Sequence, residues 1–303
     1  MMSSKAVEPD SSMQAEQIAW MWRGETIRIG IDWRGDGPHI LLLPALSSIS
    51  TRREMRPLRD RLSPHYRTVA IDWPGFGDEP RPALNWDPEC YSAFLSFVLS
   101  SVVPHPHAII AAGHAATYVL KHVADDSSAT ERLVLIAPTW RGPLPTMAGG
   151  RRPFFDRLCR IVDRPLIGPL IYRLNVNRLV VRYMGTGHVF SDPAFLQGER
   201  LREKLAVVQA PGARFASVRF VTGRLDPVDS RDTFLDLARR ARVPILLVHG
   251  AETPPRSRAE MEALAALANV RNVRLPRGKL SVHEEFPDAT LEAIAPFLAA
   301  EVP

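Results

Sequence analysis

Side chains able to act as bases or nucleophiles are few in this sequence, and their spacing limits the chemistry open to it. His283 stands beside Glu284 and Glu285 in GKLSVHEEFP (278–287), with Lys279 four residues earlier. His114 follows a glycine in AAGHAAT (111–117), Asp226 lies in GRLDPV (223–228), and Glu252 sits in GAETPP (250–255). Ser47 and Ser48 adjoin just after an apolar run. A histidine oriented by a carboxylate can act as a general base, and a serine within its reach can become a nucleophile. Lysine becomes a base only where desolvation lowers its pKa. Each group also has a structural reading. His283 can be a companion of the two glutamates, His114 a packing residue, Asp226 the N-cap of a helix beginning near Pro227, and Lys279 an exposed loop cation. The two cysteines, Cys90 and Cys159, make neither a disulfide framework nor a metal-ligand spacing. No cofactor or metal is expected.

These groups sit between elements that would carry them. Two strands are expected over 18–23 and 25–33, joined near Gly24, then a short doubly buried strand at His39–Leu43. Further strands are expected over 66–71, 108–112, 133–137, 243–248 and 270–275. The helical patterns fall over 51–62, 87–103, 116–124, 229–240, 258–268 and 290–300. Asp87 is a candidate N-cap with Pro88 at the first helical position. Strands alternating with helices predict a mostly parallel sheet with helices on both faces. The loops at 44–50, 72–79, 113–117, 138–143, 249–256 and 276–284 then gather at one rim, the carboxyl ends of the strands, where such sheets bind ligands.

The chain has 303 residues, 46% hydrophobic and 23% charged, enough for a sizeable core. No run approaches the ~18 apolar residues of a membrane span. Residues 1–14 show no secretory leader, so the expected setting is cytoplasmic, with a membrane surface as the other. Residues 141–222 hold thirteen Arg and one Lys against five acids, a net +9 that leaves −4 for the rest of a chain carrying +5. Apolar residues interleave with these arginines. A solvated helical face, an acidic protein partner or a lipid surface all fit that mixture. No nucleic-acid motif is present. The expected organisation is a disordered extension at 1–15, an α/β core at 16–140 and 226–303, and a basic, Arg-rich helical cap at 141–225.

Several motifs in order carry a resemblance. The run His39–Leu43, the loop DWPGFG (72–77), AAGHAAT (111–117), VPILLVHG (243–250) and GKLSVHEEFP (278–287) together resemble the α/β-hydrolase fold superfamily. The resemblance implies an α/β fold with a helical lid and a Ser-acid-His triad. Lined up on the family's G-x-S-x-G elbow, Ala115 takes the nucleophile position, Thr253 the acid and Lys279 the base, so the chain resembles a divergent branch with a Gly-His-Ala-Ala elbow and no intact triad. The resemblance further implies that an oxyanion site survives at the backbone N–H groups of Ala45 or Leu46 and of Ala116. A small amphipathic or anionic ligand would lie between core and cap, bordered by His114, Ala115, Trp140 and Lys279. The expected function is therefore that of an inactive or atypical hydrolase. Other readings stay open: an ester or thioester hydrolase using His283 with Glu252 or Asp226, a lyase or oxygenase using His114 or Lys279 as base, or a membrane-docking or scaffold protein.

Overall fold

The computed structural model describes residues 14–300. Eight strands form one sheet: β1 (Gln14–Trp22), β2 (Glu25–Arg34), β3 (His39–Leu43), β4 (Arg67–Ile71), β5 (Ala108–Ala112), β6 (Leu133–Ile136), β7 (Ile245–Gly250) and β8 (Val270–Leu275). Their order is β1-β2-β4-β3-β5-β6-β7-β8. β1 and β2 form a hairpin through Arg23 and Gly24, both at positive φ, as a two-residue turn requires. β2 runs antiparallel to both β1 and β4, and the remaining neighbouring pairs are parallel. β3, β5, β6 and β7 are apolar at nearly every position and buried on both faces, as parallel strands between helices must be. The extension expected at 1–15 lies outside the described residues except for Gln14 and Ala15, whose backbone already pairs with Trp33 and Asp32.

Helices cover the sheet. α1 (Arg56–Leu62), α2 (Pro88–Phe97) and α3 (Ala115–Asp125) lie in the first half. An insert follows with α4 (Pro143–Ala148), α5 (Pro153–Asp163), α6 (Ile167–Asn175), α7 (Arg178–Met184), α8 (Gly198–Gln209) and α9 (Ala213–Val221). α10 (Arg231–Arg240), α11 (Pro255–Ala265), α12 (Val282–Glu285) and α13 (Pro287–Ala299) complete the chain. α2, α3, α10 and α11 pack in succession, and α1 packs on α13. One large apolar cluster joins the sheet to these helices. The insert has two small clusters of its own, one around Phe190 and Leu196, the other around Cys159, Val162 and Val218.

The helices expected from 258 and 290 begin three residues earlier, at Pro255 and Pro287, and two further starts differ from expectation. The pattern over 51–62 splits into a short 3-10 turn (Arg52–Met55) and α1, because Pro57 has no N–H to continue one ladder. The helix expected near Pro227 begins at Arg231, capped by Ser230, whose Oγ accepts the Thr233 N–H at 3.1 Å. Asp226 is therefore not its cap. Asp87 does cap α2, accepting the Cys90 N–H at 2.9 Å.

Candidate functional site

The rim is assembled around the turn between β5 and α3. Gly113 is the sharp residue there, at φ +53°, a region where side chains are strained. Its N–H donates to Ile136 O at 2.9 Å, and its carbonyl accepts the N–H groups of Thr139 (3.0 Å) and Ala116 (3.3 Å). His114 already has helical angles, and Ala115 is the first residue of α3. The fold's nucleophile elbow is a strained strand-to-helix turn. The strained residue is Gly113, two positions before Ala115, and small residues flank it two places away on either side, Ala111 and Ala115. The line-up on Ala115 is corrected accordingly. A Cβ on Gly113 would stand 3.1 Å from the Ala45 Cβ, tighter than ordinary contact. The turn carries no nucleophilic atom and little space for one.

Two of the expected anion donors, Ala45 and Ala116, are engaged within the chain. Ala45 N–H donates to Glu54 Oε1 at 2.6 Å, and Ala116 N–H to the Gly113 carbonyl. In this geometry the N–H following the strained residue belongs to His114, not Ala116. Leu46 is fully buried beside Ala45. Trp73 fixes the same loop by donating Nε1–H to Pro44 O at 2.9 Å.

Thr253 and Lys279 do meet, but through backbone carbonyls. The Thr253 hydroxyl bonds Gly250 O at 2.8 Å and lies 3.4 Å from Lys279 O. Lys279 sends its ammonium away to Thr186 O in the insert. His283 is buried, with Nε2 3.3 Å from Glu54 Oε1. The expected pairing of His283 with Glu252 or Asp226 is thus replaced by one with Glu54. Glu252 is exposed and accepts the Gly278 N–H at 3.3 Å. Burial alone would raise the Glu54 pKa, yet His283, Lys204 and Ser50 hold it below the usual carboxylate range. Buried Lys204 completes the group, with Nζ 3.0 Å from Glu284. Glu285 accepts the N–H groups of Ser191 (2.8 Å) and Asp192 (2.7 Å). Lys279, His283, Glu284 and Glu285 therefore bind this loop to the insert and to the 3-10 turn holding Glu54.

His114 and Asp226 form a second cluster. His114 Nε2 donates to Leu225 O at 3.1 Å and lies 3.4 Å from Asp226 Oδ1, which accepts the Gly142 N–H at 2.9 Å. Tyr118 OH also donates to Leu225 O, at 2.6 Å. Burial pushes the His114 pKa down to about 4, against the Leu225 hydrogen bond. Burial pushes the Asp226 pKa up to about 7, against the Gly142 N–H and the charges of Arg151 and Arg141. At neutral pH His114 is a neutral donor, and it clamps the exit of the insert to the helix behind the elbow.

A concavity of about 210 Å³ opens beside the rim and includes Trp140, Arg141, Arg231, Arg256 and Glu260 in its wall. Trp140 donates Nε1–H to Glu260 at 3.0 Å, and the Arg141 guanidinium lies 4.2 Å from the Trp140 ring centre. Arg231 makes two 2.8 Å bonds to the same carboxylate. Of the expected ligand residues, only Trp140 lines this space. Sequence reasoning missed Glu54, Lys204, Arg231, Arg256 and Glu260. Nothing in their local patterns separates them from ordinary charged helix residues.

The profile of the alpha/beta hydrolase family matches residues 40–293. This chain belongs to the alpha/beta hydrolase family. No curated protein matches it. Among solved structures it is similar to a hydrolase from Pseudomonas aeruginosa PA01, at 19% identity and TM-score 0.72, covering 94% of this chain and 98% of that one. It is also similar to the Cif epoxide hydrolase from Acinetobacter nosocomialis, at 15% identity and TM-score 0.73, covering 96% and 90%. A third is a point mutant of haloalkane dehalogenase DatA from Agrobacterium tumefaciens C58, at 18% identity and TM-score 0.71, covering 96% and 98%. At these identities the likeness carries the fold, and chemistry must be argued from the site.

Proposed function

We propose that this alpha/beta hydrolase family member binds a small anionic or amphipathic ligand and does not hydrolyse esters. The observation that carries the reading is Gly113: the strained turn that presents the nucleophile in this fold ends in a residue with no side chain. Support comes from the engaged side chains of Thr253, Lys279 and His283, and from Glu54, whose carboxylate occupies an N–H expected to hold an anion. A negative group there opposes the oxyanion that acyl transfer develops. The arginine-lined concavity beside Trp140, with Arg141 and Thr146 of the insert on one side and Arg231 and Arg256 of the core on the other, supports a ligand held between core and insert.

The test is ester turnover across short and long acyl chains, with fluorophosphonate labelling and native mass spectrometry of the purified chain. Gly113→Ser and Ala115→Ser are prepared alongside. The expected result is no turnover and no label in wild type or Ala115→Ser. Retained ligand should be weakened by Arg141→Ala. Turnover that scales with protein, with label on Ser47 or Ser48, would overturn the reading.

A further inference from the structure

Eight of the ten large apolar side chains exposed among the described residues lie between 154 and 183, on α5, α6 and α7. Ile167, Leu170 and Leu174 recur at helical spacing along one side of α6, with Leu166 at its start 88% exposed. Leu179 (78%) and Tyr183 (76%) repeat the pattern on α7. The other side of α6 is already used: Gly168 fits against the Val162 backbone, and Ile171 and Tyr172 pack on the cluster of Cys159, Val162 and Val218. The exposed stripe is thus a second apolar face on a helix whose inner face is satisfied.

The charge around it has one sign. Arg157, Arg160, Arg164, Arg173, Arg178 and Arg182 are all exposed in the same three helices and their connections. The only acids between 151 and 184 are Asp156 and Asp163, and arginines of the following segment hold both. Arg224 lies 2.8 Å from Asp156, and Arg219 makes two 2.9 Å bonds to Asp163. The outward face keeps its positive charge.

We propose that α5–α7 dock this protein on the surface of a bilayer containing anionic lipid. The inference goes beyond the reading of the rim and holds whether or not the chain performs chemistry. Apolar side chains set among arginines are the composition of an interfacial helix, with acyl chains taking the stripe and anionic headgroups the guanidiniums. No helix of the described residues is long and apolar enough to cross a membrane, so the contact is with its surface. A protein partner fits less well. These side chains line neither the concavity beside Trp140 nor the one around Phe195 and Arg200, whereas a fluid bilayer closes around protruding groups without matched shape.

The test is flotation of the full chain with phosphatidylcholine vesicles, with and without phosphatidylserine, at low and high salt. Binding should require phosphatidylserine and fall with salt. Arg173→Ala with Arg178→Ala should lower partitioning about 25-fold, at roughly fivefold per arginine. The charge-neutral pair Leu170→Gln with Leu174→Gln should lower it at least ~10-fold. The melting temperature should not move in either variant, because these side chains are exposed. No binding to anionic vesicles at low salt would overturn the proposal, and so would glutamine variants that bind like wild type. Concentration-dependent self-association that the glutamine pair abolishes, without vesicle binding, would make the face a contact between copies and overturn it too.

Discussion

At the scale of single residues, the informative pair is His114 and Asp226, two buried titratable groups that pull stability in opposite directions. Asp226 has a folded pKa of about 7, above the ordinary carboxylate value of 3.8, because it is buried. The native chain therefore keeps a proton that the unfolded chain gives up, and the stability this proton contributes is lost as pH rises through the folded pKa. His114, lowered by burial from 6.5 to about 4, has the reverse sign: its contribution is lost as pH falls from about 6.5 toward 4. Between about pH 4 and 6.5 the two slopes offset each other, and above that range only the loss from Asp226 continues. Asp226→Asn keeps an oxygen for the Gly142 N–H and removes the titration. The variant should gain on wild type progressively from pH 4.5 to 7.5, by about 3 kcal/mol in all. Urea unfolding at several pH values measures the difference. A gap that does not change with pH would show that Asp226 titrates as an ordinary carboxylate.

At the scale of elements, the loop after β8 has become a fastening between core and insert. Lys204 on α8 meets Glu284 at the start of α12, and the carboxylate of Glu54 lies close enough to feel the same ammonium. Removing one member of a buried pair leaves the other uncompensated, so Lys204→Met should lose about 3–5 kcal/mol. Lys204→Met with Glu284→Met should recover much of that loss, because an apolar pair replaces a charged one. Chemical denaturation of both variants decides it, and a double variant no better than the single would mean that the ion pair is not the fastening. Elements and fastening were unequally legible in the sequence. His39–Leu43 and Ala108–Ala112 were readable to the residue, since apolar runs bounded by turn residues have few alternatives. The elbow was not. In AAGHAAT small residues stand at 111, 112, 113, 115 and 116, so spacing alone admits either Gly113 or Ala115 at its apex, and only backbone angles decide. His283 and Glu54 meet across 229 residues of sequence, a pairing set by tertiary packing that no local pattern encodes.

At the scale of the molecule, charge and apolar burial divide the chain in the same place. The sheet and its helices share one continuous apolar cluster, whereas the insert rests on two small ones and carries the net positive charge. Burial of apolar surface is the main favourable contribution to folding, so these parts cannot be equally resistant to opening. α5–α7 leave much of their apolar surface outside; α5 and α6 reach the core mainly through α9, where Cys159 and Val162 meet Val218 and Arg219 holds Asp163, and α7 packs on α8. In native-state hydrogen exchange, amides of α5–α7 should therefore open at a free energy several kcal/mol below those of β3, β5 and β6, whose exchange should approach the global limit. The fastening through Lys204 and Glu285 joins α8 and the segment before it to the core, so protection should step up at α8 before reaching the sheet value. Equal protection across insert and sheet would mean that the insert unfolds only with the core, and that its two small clusters are not the weak part of the molecule.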